Sequence, residues 1–320
     1  MASEAPSSVA PAVTAVICTR NRAARYLPRA VASLLAQGDD AGAFEVLVVD
    51  NDSSDPTRRV VDDLIAAAPP TGPRLRYAFE PRVGLSHARN RALAEARAPV
   101  VAYLDDDAVA DPGWVAVIAR RFAEDGALAA LSGPVLPIWE AEPPAWLPDR
   151  LHGALGLRAA VDDGRLFGGN AAYRAATLRA LGGFAPELGR RGEALLQGED
   201  DDVAARLAAA GAPVAFEAAM LIRHHVPAAR LRRAYLLRWA LGSGRSQARI
   251  RLASDDTPAR RARSAAGALL RGEKAALSGV LALLRGDRPG AFGAAFDLAR
   301  EAGLATELAT GRGRSGGEPV

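Results

Sequence analysis

Four short apolar segments alternate with four segments of helical periodicity between residues 12 and 125, and this alternation restricts the fold more than any other feature. The apolar segments are AVTAVIC at 12–18, FEVLVV at 44–49, LRYAFE at 75–80 and VVAYL at 100–104. Helical spacing of apolar residues is found at 26–36, 57–65, 84–96 and 113–125. Continuously apolar strands that alternate with helices predict an α/β fold, with a mostly parallel sheet flanked by helices.

Composition supports a folded chain with a large core. Hydrophobic residues make up 49% of the 320 residues, which argues against global disorder. Cys18 is the single cysteine, so no intramolecular disulfide can form, as is usual for cytosolic proteins. Because Cys18 lies inside the first apolar segment, we interpret it as a small buried core residue rather than a nucleophile.

The alternation weakens after Leu131, and from Ala228 onward the pattern is helical. The expected parts are a flexible tail at 1–11, an α/β domain at 12–227 with halves at 12–130 and 131–227, a helical extension at 228–309 and a flexible tail at 310–320. The first tail does not read as a secretory signal, and no apolar segment approaches the length of a membrane span. We therefore expect a cytoplasmic protein.

The weaker pattern between 131 and 227 gives less definite predictions. Residues 134–148 carry five prolines and are expected to form an irregular loop, whereas Gly168, Gly169 and Asn170 are expected to precede a helix. A loop through GEDDD at 198–202 is expected to enter another helix. Residues 214–222 resemble one strand, with RHHVP at 223–227 following its end.

Charge is distributed unevenly along the chain. From Met220 to the last residue there are 18 basic and 8 acidic residues, whereas the preceding part holds 22 basic and 29 acidic residues. A basic C-terminal third indicates an anionic partner such as a membrane surface or a phosphorylated lipid. Nucleic acid is less favoured because few aromatic residues are present to stack on bases. Three arrangements of these helices are open: packing on the α/β domain, peripheral contact with the inner face of a membrane, or formation of a homodimer.

Three consecutive aspartates, Asp105, Asp106 and Asp107, follow the fourth apolar segment directly. Carboxylates this close repel one another unless a cation neutralises them, and oxygen ligands suit Mg2+ or Mn2+. The alternative is a solvated turn. Thr19, Asp50 and Asp52 follow earlier strands, and sheets of this kind bind ligands beyond the carboxyl ends of their strands. The pattern therefore favours a site for a metal ion and a diphosphate at that edge.

An ordered set of segments resembles the family 2 glycosyltransferases, whose nucleotide-sugar-binding α/β fold is called GT-A. The segments, which lie between Val13 and Arg230, are VTAVICTRNR, FEVLVVDNDSSD, VGLSHARNRALAEA, VVAYLDDDAVADPGWV, GGNAAYR, LGGF, GEDDDVAARLAAAG and RHHVPAAR. The resemblance implies a Rossmann-like GT-A catalytic domain, with a nucleotide-binding half at 12–130 and an acceptor half at 131–227.

The resemblance also implies which residues bind the nucleotide-sugar donor. These are Thr19, Arg20, Asp50, Asn51, Asp52, Arg89, Asp105, Asp106, Gly169 and Asn170. Many relatives carry a second acid where this chain has Asn51, so a UDP-, GDP- or dTDP-linked sugar remains open. In the same comparison Arg89 pairs with the acidic edge or with the diphosphate, because its planar fork suits both.

The metal site implied by the resemblance uses Asp107 as the direct ligand of Mn2+ or Mg2+. Asp105 or Asp106 supports it through water or the ribose, and His224 supplies a further ligand, with His225 as the alternative. Imidazole and carboxylate together suit Mn2+.

The resemblance assigns the acceptor chemistry to the GED segment. Asp200 is expected to be the general base that deprotonates an acceptor hydroxyl, with Glu199 beside it, and the sugar is transferred with inversion. The implied function is a metal-dependent inverting glycosyltransferase. Two alternatives stay open: a retaining transferase on the same fold, and an inert protein that only binds nucleotide sugars.

Overall fold

The computed structural model describes residues 10–158, 166–190, 196–254 and 257–310. Its strands are β1 (Val13–Thr19), β2 (Phe44–Asp50), β3 (Arg74–Phe79), β4 (Val100–Asp105), β5 (Ala108–Ala110), β6 (Ala130–Ser132), β7 (Val135–Trp139), β8 (Asn170–Arg174), β9 (Val214–Phe216) and β10 (Ile222–Val226). Its α-helices are α1 (Leu27–Leu35), α2 (Thr57–Ala67), α3 (Leu85–Glu95), α4 (Trp114–Glu124), α5 (Ala175–Ala180), α6 (Glu199–Ala209), α7 (Arg233–Ser254), α8 (Pro258–Leu284) and α9 (Arg288–Thr310). The tails expected at either end fall mainly on residues outside these ranges.

Seven strands form the main sheet, in the order β3-β2-β1-β4-β8-β6-β9. The first four are parallel, β8 is antiparallel to both of its neighbours, and β6 and β9 are again parallel. Alternate residues of the central strands point to opposite faces, and both faces are covered by helices. The predicted α/β fold with a mostly parallel sheet is confirmed.

Each face of the sheet buries its own set of helices. Helices α1, α2 and α4 cover one face through residues such as Leu34, Val61 and Ile118. The other face packs against α3, α5 and α6. Every residue of β2 is buried, which explains why its sequence is continuously apolar rather than alternating.

Residues 166–179 differ from their prediction. The segment that was expected to pass from a Gly-Gly-Asn turn to a helix contains β8, and the helix α5 that follows it has only six residues. β8 is inserted antiparallel between β4 and β6, with Tyr103 opposite Ala171. This pairing is long-range, and five residues with three alanines give little local preference for a strand.

The region 134–227 contains three further differences. β7 occupies part of the expected irregular loop, and the strand expected at 214–222 is two strands, β9 and β10. β9 extends the main sheet, whereas β10 lies between β5 and β7 in a separate three-stranded sheet. His224 therefore lies inside a strand rather than beyond its end.

The described chain divides into two compact units. The first contains residues 10–136, 166–184 and 203–224; the second contains 137–158, 185–190, 196–202, 225–254 and 257–310. The second unit is mainly helical, with α7, α8 and α9 as its long elements. Among the described residues, no helix has both the length and the apolar character required to cross a bilayer.

Close backbone contacts hold α7 and α9 together. A Cβ atom at Gly244 would lie 1.9 Å from the carbonyl oxygen of Arg300, and one at Gly303 would lie 2.1 Å from that of Leu241. Neither position has room for a side chain. The two glycines therefore fix how closely these helices approach.

Candidate active site

Three neighbouring strands of the first unit end in polar residues at the same edge of the main sheet. In the register of the sheet, Thr19 lies opposite Asp50, and Cys18 lies opposite Asp105. The parallel pairing of β2, β1 and β4 brings these carboxyl ends together. We call this edge, with the loops that follow the three strands, the carboxyl rim.

The three consecutive aspartates have different partners. Asp106 accepts a hydrogen bond from the hydroxyl of Thr19, with 2.7 Å between the oxygens. Asp105 faces the guanidinium of Arg89, and Asp107 faces His224. The turn between β4 and β5 therefore directs adjacent side chains to different parts of the rim.

Asp105, Asp107 and His224 form a group that can bind a metal ion, with one ligand atom from each lying within 4.8 Å of the others. The Nε2 atom of His224 is 3.1 Å from Oδ1 of Asp107, and both side chains are buried. Strand pairing explains the contact, because His224 of β10 is opposite Ala108 of β5. Two carboxylates and an imidazole are a suitable donor set for Mn2+.

His225 follows His224 in the same strand. Successive side chains of a strand point to opposite faces, so only one of the two histidines can face the aspartate turn. The metal-binding group includes His224. Of the two histidines left open by the sequence, His224 has the better position.

The middle aspartate has a perturbed acidity. Burial, and then the negative charge of Asp107, raise the pKa of Asp106 to about 7, while Arg22 and the hydrogen bond from Thr19 act in the opposite direction. Adjacent carboxylates with little access to water therefore disfavour further negative charge here. A bound cation would relieve this repulsion.

Arg89 is a buried cation beside the aspartates. Its Nη2 atom is 3.8 Å from Oδ1 of Asp105, and its guanidinium lies over the rings of Tyr103 and Phe184 at 5.8 and 5.4 Å from their centroids. The hydroxyl of Tyr103 also donates to the carbonyl of Arg89. Packing on both rings fixes the position of this charge.

The Gly-Gly segment before β8 passes close to these two charged side chains. A Cβ atom at Gly168 would lie 2.5 Å from Nη1 of Arg89, and one at Gly169 would lie 2.3 Å from Oδ2 of Asp105. Both glycines are therefore required by the packing of Arg89 and Asp105. Close backbone approach to a ligand was the reason expected from the sequence, and the nearer reason is this protein contact.

Asn170 lies next to the rim, but its side chain is engaged by the protein. Its Oδ1 atom accepts a hydrogen bond from Nε1 of Trp114, and its Nδ2 atom donates to the carbonyls of Pro134 and Met220. The residue is completely buried. Its carboxamide thus connects separate segments of the first unit.

Asn51 is engaged in a similar way after β2. Its Nδ2 atom donates to the carbonyls of Glu80 and Arg82, and its Oδ1 atom accepts from the backbone N–H of Gly84. The backbone carbonyl of Asn51 accepts from Nε of Arg20. The side chain of Asn51 therefore shapes the loop before α3.

Asp50 is held by two donors. Its Oδ1 atom accepts from the backbone N–H of Ser53, and its Oδ2 atom accepts from the hydroxyl of Tyr77 at 3.0 Å. Burial, together with the hydrogen bond to Asp50, raises the pKa of Tyr77 to about 12, so this hydroxyl stays protonated at neutral pH. Asp52 is exposed and has a φ of 57°, in the left-handed region.

Two residues that shape the rim were not predicted from the sequence. Tyr77 belongs to β3, and its contact with Asp50 depends on strand pairing, so no local pattern indicated it. Asn21 has a φ of 57°, and its Oδ1 atom accepts from the backbone N–H groups of Ser54 and Asp55. An asparagine just beyond a strand is a recognisable signal, because this residue tolerates left-handed φ.

Glu199 and Asp200 begin α6 and belong to the second unit. Glu199 is buried, Asp200 is partly exposed, and the carboxylate of Asp200 accepts from the N–H of Asp201. The segment before them is fixed by α7, since the N–H of Gln197 donates to the hydroxyl of Ser246. Acidic residues in the first turn are stabilised by the helix dipole.

Comparison with known families now decides the classification. The family model described as Glycosyl transferase family 2 matches residues 14–181, which is more than half of the chain. The chain belongs to glycosyl transferase family 2. The matched region includes the carboxyl rim up to Asn170, and the predicted family is confirmed.

Curated relatives in this family have different names. A glucosyl-dolichyl phosphate glucuronosyltransferase of Haloferax volcanii is 25% identical over 203 residues, which is 61% of this chain and 63% of the relative. Succinoglycan biosynthesis protein ExoM of Rhizobium meliloti is 28% identical over 237 residues, covering 73% of each protein. The chain thus matches less than two thirds of the first relative's length.

A solved structure supports the GT-A fold for this family 2 member. A mannosyltransferase from Pyrobaculum calidifontis, in complex with GDP-mannose and Mn2+, matches with a TM-score of 0.62 and 21% identity. The match covers 93% of this chain and 88% of the mannosyltransferase. At this identity the likeness concerns the fold.

Proposed function

We propose that this protein is a metal-dependent inverting glycosyltransferase that moves a sugar from a nucleoside-diphosphate sugar to an acceptor hydroxyl. The observation that carries the proposal is the convergence of Asp105, Asp107 and His224 at the carboxyl rim. In an α/β sheet with family 2 membership, a group of this composition in this position has an evident role in binding a diphosphate through a cation.

Asp107 and His224 would hold the divalent cation, with Asp105 as the third ligand. Their donor atoms suit Mn2+, and Mg2+ is the second choice because it prefers oxygen ligands. When bound, the cation supplies charge that stabilises the departing diphosphate. The buried guanidinium of Arg89 adds a fixed positive charge beside Asp105.

The remaining rim residues would bind the nucleotide-sugar donor. Asp50 keeps acceptor capacity on each oxygen after its bonds to Ser53 and Tyr77, and can receive an N–H of the base. Thr19 and Asp106 are joined to each other, so they would act together near the ribose or the phosphates. Arg20, Asp52 and Gly169 complete this group, while Asn51 and Asn170 support it from the protein side.

The identity of the donor follows from none of these contacts. The mannosyltransferase of Pyrobaculum calidifontis was solved with GDP-mannose. UDP-, GDP- and dTDP-linked sugars are all compatible with a carboxylate that reads an N–H edge. The relatives' names, which include a dolichyl phosphate glycoside and succinoglycan biosynthesis, leave the acceptor open as well.

Asp200 would act as the general base on the acceptor hydroxyl, with Glu199 as its neighbour. Asp200 is the more exposed of the two and is therefore better suited to meet an incoming acceptor. A single carboxylate base leads to displacement in one step, which inverts the anomeric centre. The assignment rests on the GED segment and its position at the start of α6.

A donor screen followed by one substitution tests the proposal. Thermal stability of the protein is measured with UDP-, GDP- and dTDP-sugars, with and without Mn2+, and one donor is expected to stabilise it only when Mn2+ is present. Asp200→Asn is then expected to reduce transfer by about 10²–10⁴-fold while donor binding persists. The matched control, Asp201→Asn, removes a neighbouring charge and should transfer normally.

Other outcomes separate the alternatives. Transfer that persists after chelation of divalent ions would contradict the metal requirement, and normal transfer by Asp200→Asn would contradict the assignment of the base. Retention of the anomeric configuration, read by NMR of the product, would identify a retaining transferase. Donor binding without transfer to any acceptor or to water would indicate an inert binding protein.

A further inference from the structure

Helix α8 has its small residues on the inside and its leucines on the outside. Ala268 and Gly272 are buried against α9, and a Cβ atom at Gly272 would lie 3.4 Å from Leu298. One at Gly279 would lie 3.2 Å from the Cβ atom of Ala294. This arrangement is opposite to that of an ordinary surface helix, which buries its large apolar side chains.

The outer side of α8 carries a row of exposed leucines. Their spacing of seven, four and three residues puts them on one helical face, and the exposed fractions are 59% for Leu270, 63% for Leu277, 43% for Leu281 and 79% for Leu284. We call these four residues the leucine face. Leu269 and Val280, also exposed, widen it on one side. Contiguous apolar surface of this kind marks an interaction site rather than a solvated helix.

A row of cations runs beside the leucine face. Arg263, Lys274 and Arg285 follow one another at intervals of 11 residues, which is about three helical turns, so they lie on the same side of α8. All three are exposed. On that side of the helix the apolar row is thus accompanied by positive charge, whereas Glu273 lies on the other side of the row.

We propose that the leucine face is a membrane-docking surface, which lies in the interface of an anionic lipid bilayer. The leucines would contact the acyl chains, and Arg263, Lys274 and Arg285 would meet the lipid phosphates. An amphipathic helix with leucines on one face and cations beside them binds a membrane in this orientation without crossing it. The inference does not depend on the proposed transferase activity.

Charge also distinguishes a bilayer from a second copy of the chain. Two-fold pairing of the leucine face would bring two cationic rows into one interface, where like charges repel. An anionic surface instead gains from each of these cations. The basic excess of the sequence after Met220 acts in the same direction.

Co-sedimentation of the full chain with vesicles tests the proposal. Binding is expected with vesicles of phosphatidylglycerol and phosphatidylcholine, and much weaker binding with phosphatidylcholine alone. Leu277→Ser with Leu281→Ser should weaken binding by about tenfold for each leucine removed. Arg263→Glu with Lys274→Glu should weaken it by about fivefold or more for each charge.

Matched controls come from exposed residues of α2. Ile65→Ser and Arg59→Glu change an exposed apolar and an exposed basic residue, respectively, and should bind vesicles as the unchanged protein does. Circular dichroism and thermal unfolding verify that each variant remains folded, which the exposure of all four α8 positions favours.

Three outcomes would overturn the proposal. The first is an absence of binding to anionic vesicles by the unchanged protein. The second is equal binding by the double-leucine variant. The third is a dimer in sedimentation velocity without lipid that the double-leucine variant converts to a monomer, because this result would identify a second copy as the occupant of the leucine face.

Discussion

The carboxyl rim of the first unit and the helices of the second unit are held in different ways. At the rim, side chains contact side chains, as in the pairs Thr19–Asp106 and His224–Asp107. Between α7 and α9, backbone meets backbone at Gly244 and Gly303. We therefore expect substitutions at the rim to change binding and chemistry with little effect on folding, and substitutions at the helix contacts to do the reverse.

The largest effect is expected at Asp107. Asp107→Ala removes a ligand of the proposed cation and should reduce transfer by about 10²–10³-fold, the cost of losing one charge-stabilising group in an active site. Without metal, the thermal midpoint should be unchanged or higher, since repulsion with Asp105 and Asp106 is relieved. Activity assays, Mn2+ titration calorimetry and thermal unfolding measure these three quantities.

Asp63, an exposed aspartate on α2, is the control for this prediction. Asp63→Ala changes the net charge equally but should leave Mn2+ binding and transfer unaffected. A fall in the metal-free unfolding temperature of Asp107→Ala, without loss of Mn2+ binding, would reverse the division drawn between the two regions.

Gly244→Ala should have the second largest effect, on stability. The new methyl group would lie 1.9 Å from a backbone oxygen, so α7 and α9 must separate, at a cost of about 1–3 kcal/mol of unfolding free energy. Urea denaturation measures the loss. Gly153→Ala, in the same unit with no atom near the added methyl group, serves as the control and should be close to neutral. Equal stability of the two variants would show that the helices adjust without strain.

Glu45 connects the comparison to pH. Burial acts to raise the pKa of Glu45, but hydrogen bonds from the Arg97 backbone N–H, Thr14 and Arg76 outweigh it and lower the pKa below the ordinary value. The resulting stabilisation is present above the unfolded pKa of about 4.3 and is lost as pH falls through the folded pKa. It lies near the amino end of β2, away from the rim.

Glu45→Gln should therefore destabilise the protein by about 1–3 kcal/mol at neutral pH, and the difference from the unchanged protein should shrink below about pH 4. Thermal unfolding as a function of pH measures this. Metal binding should not change. A difference that stays constant to pH 3 would exclude ionisation of Glu45 as its source.

The smallest effect is expected for Tyr77→Phe. It removes one hydrogen bond to Asp50, worth about 0.5–1.5 kcal/mol, and should raise the KM for the donor by about two- to tenfold with kcat nearly unchanged. Because the pKa of Tyr77 is about 12, the pH profile near neutrality should stay the same. Initial-rate kinetics with varied donor test this, and a loss confined to kcat would show that Asp50 acts beyond donor binding.

The parallel half of the sheet was predictable from the sequence because its signals are local. β1, β2 and β4 are buried on both faces, so each is continuously apolar, and each is followed by a helix with regular spacing. The positions of Thr19, Asp50 and Asp105 at the strand ends followed directly from these assignments. The predicted helix ends agree with the structure to within a few residues.

The antiparallel half was less predictable because its strands depend on distant partners. β8 is placed by contacts with β4 and β6, and β10 by pairing with β5, more than a hundred positions earlier. Sequence patterns carry no direct information on such pairing. The side-chain partners of Asn51 and Asn170 were unpredictable for the same reason, since they are carbonyl groups of separate segments.

The pairing of His224 with Ala108 has a consequence for how the chain matures. A ribosome releases the aspartate turn long before residue 224, and domains begin to fold during synthesis. Until β10 emerges and takes its register beside β5, the carboxylates have no histidine partner. A shift of that register by one residue would turn His224 to the opposite face. Acquisition of tight Mn2+ binding is thus expected to report the completion of the three-stranded sheet, late in biosynthesis.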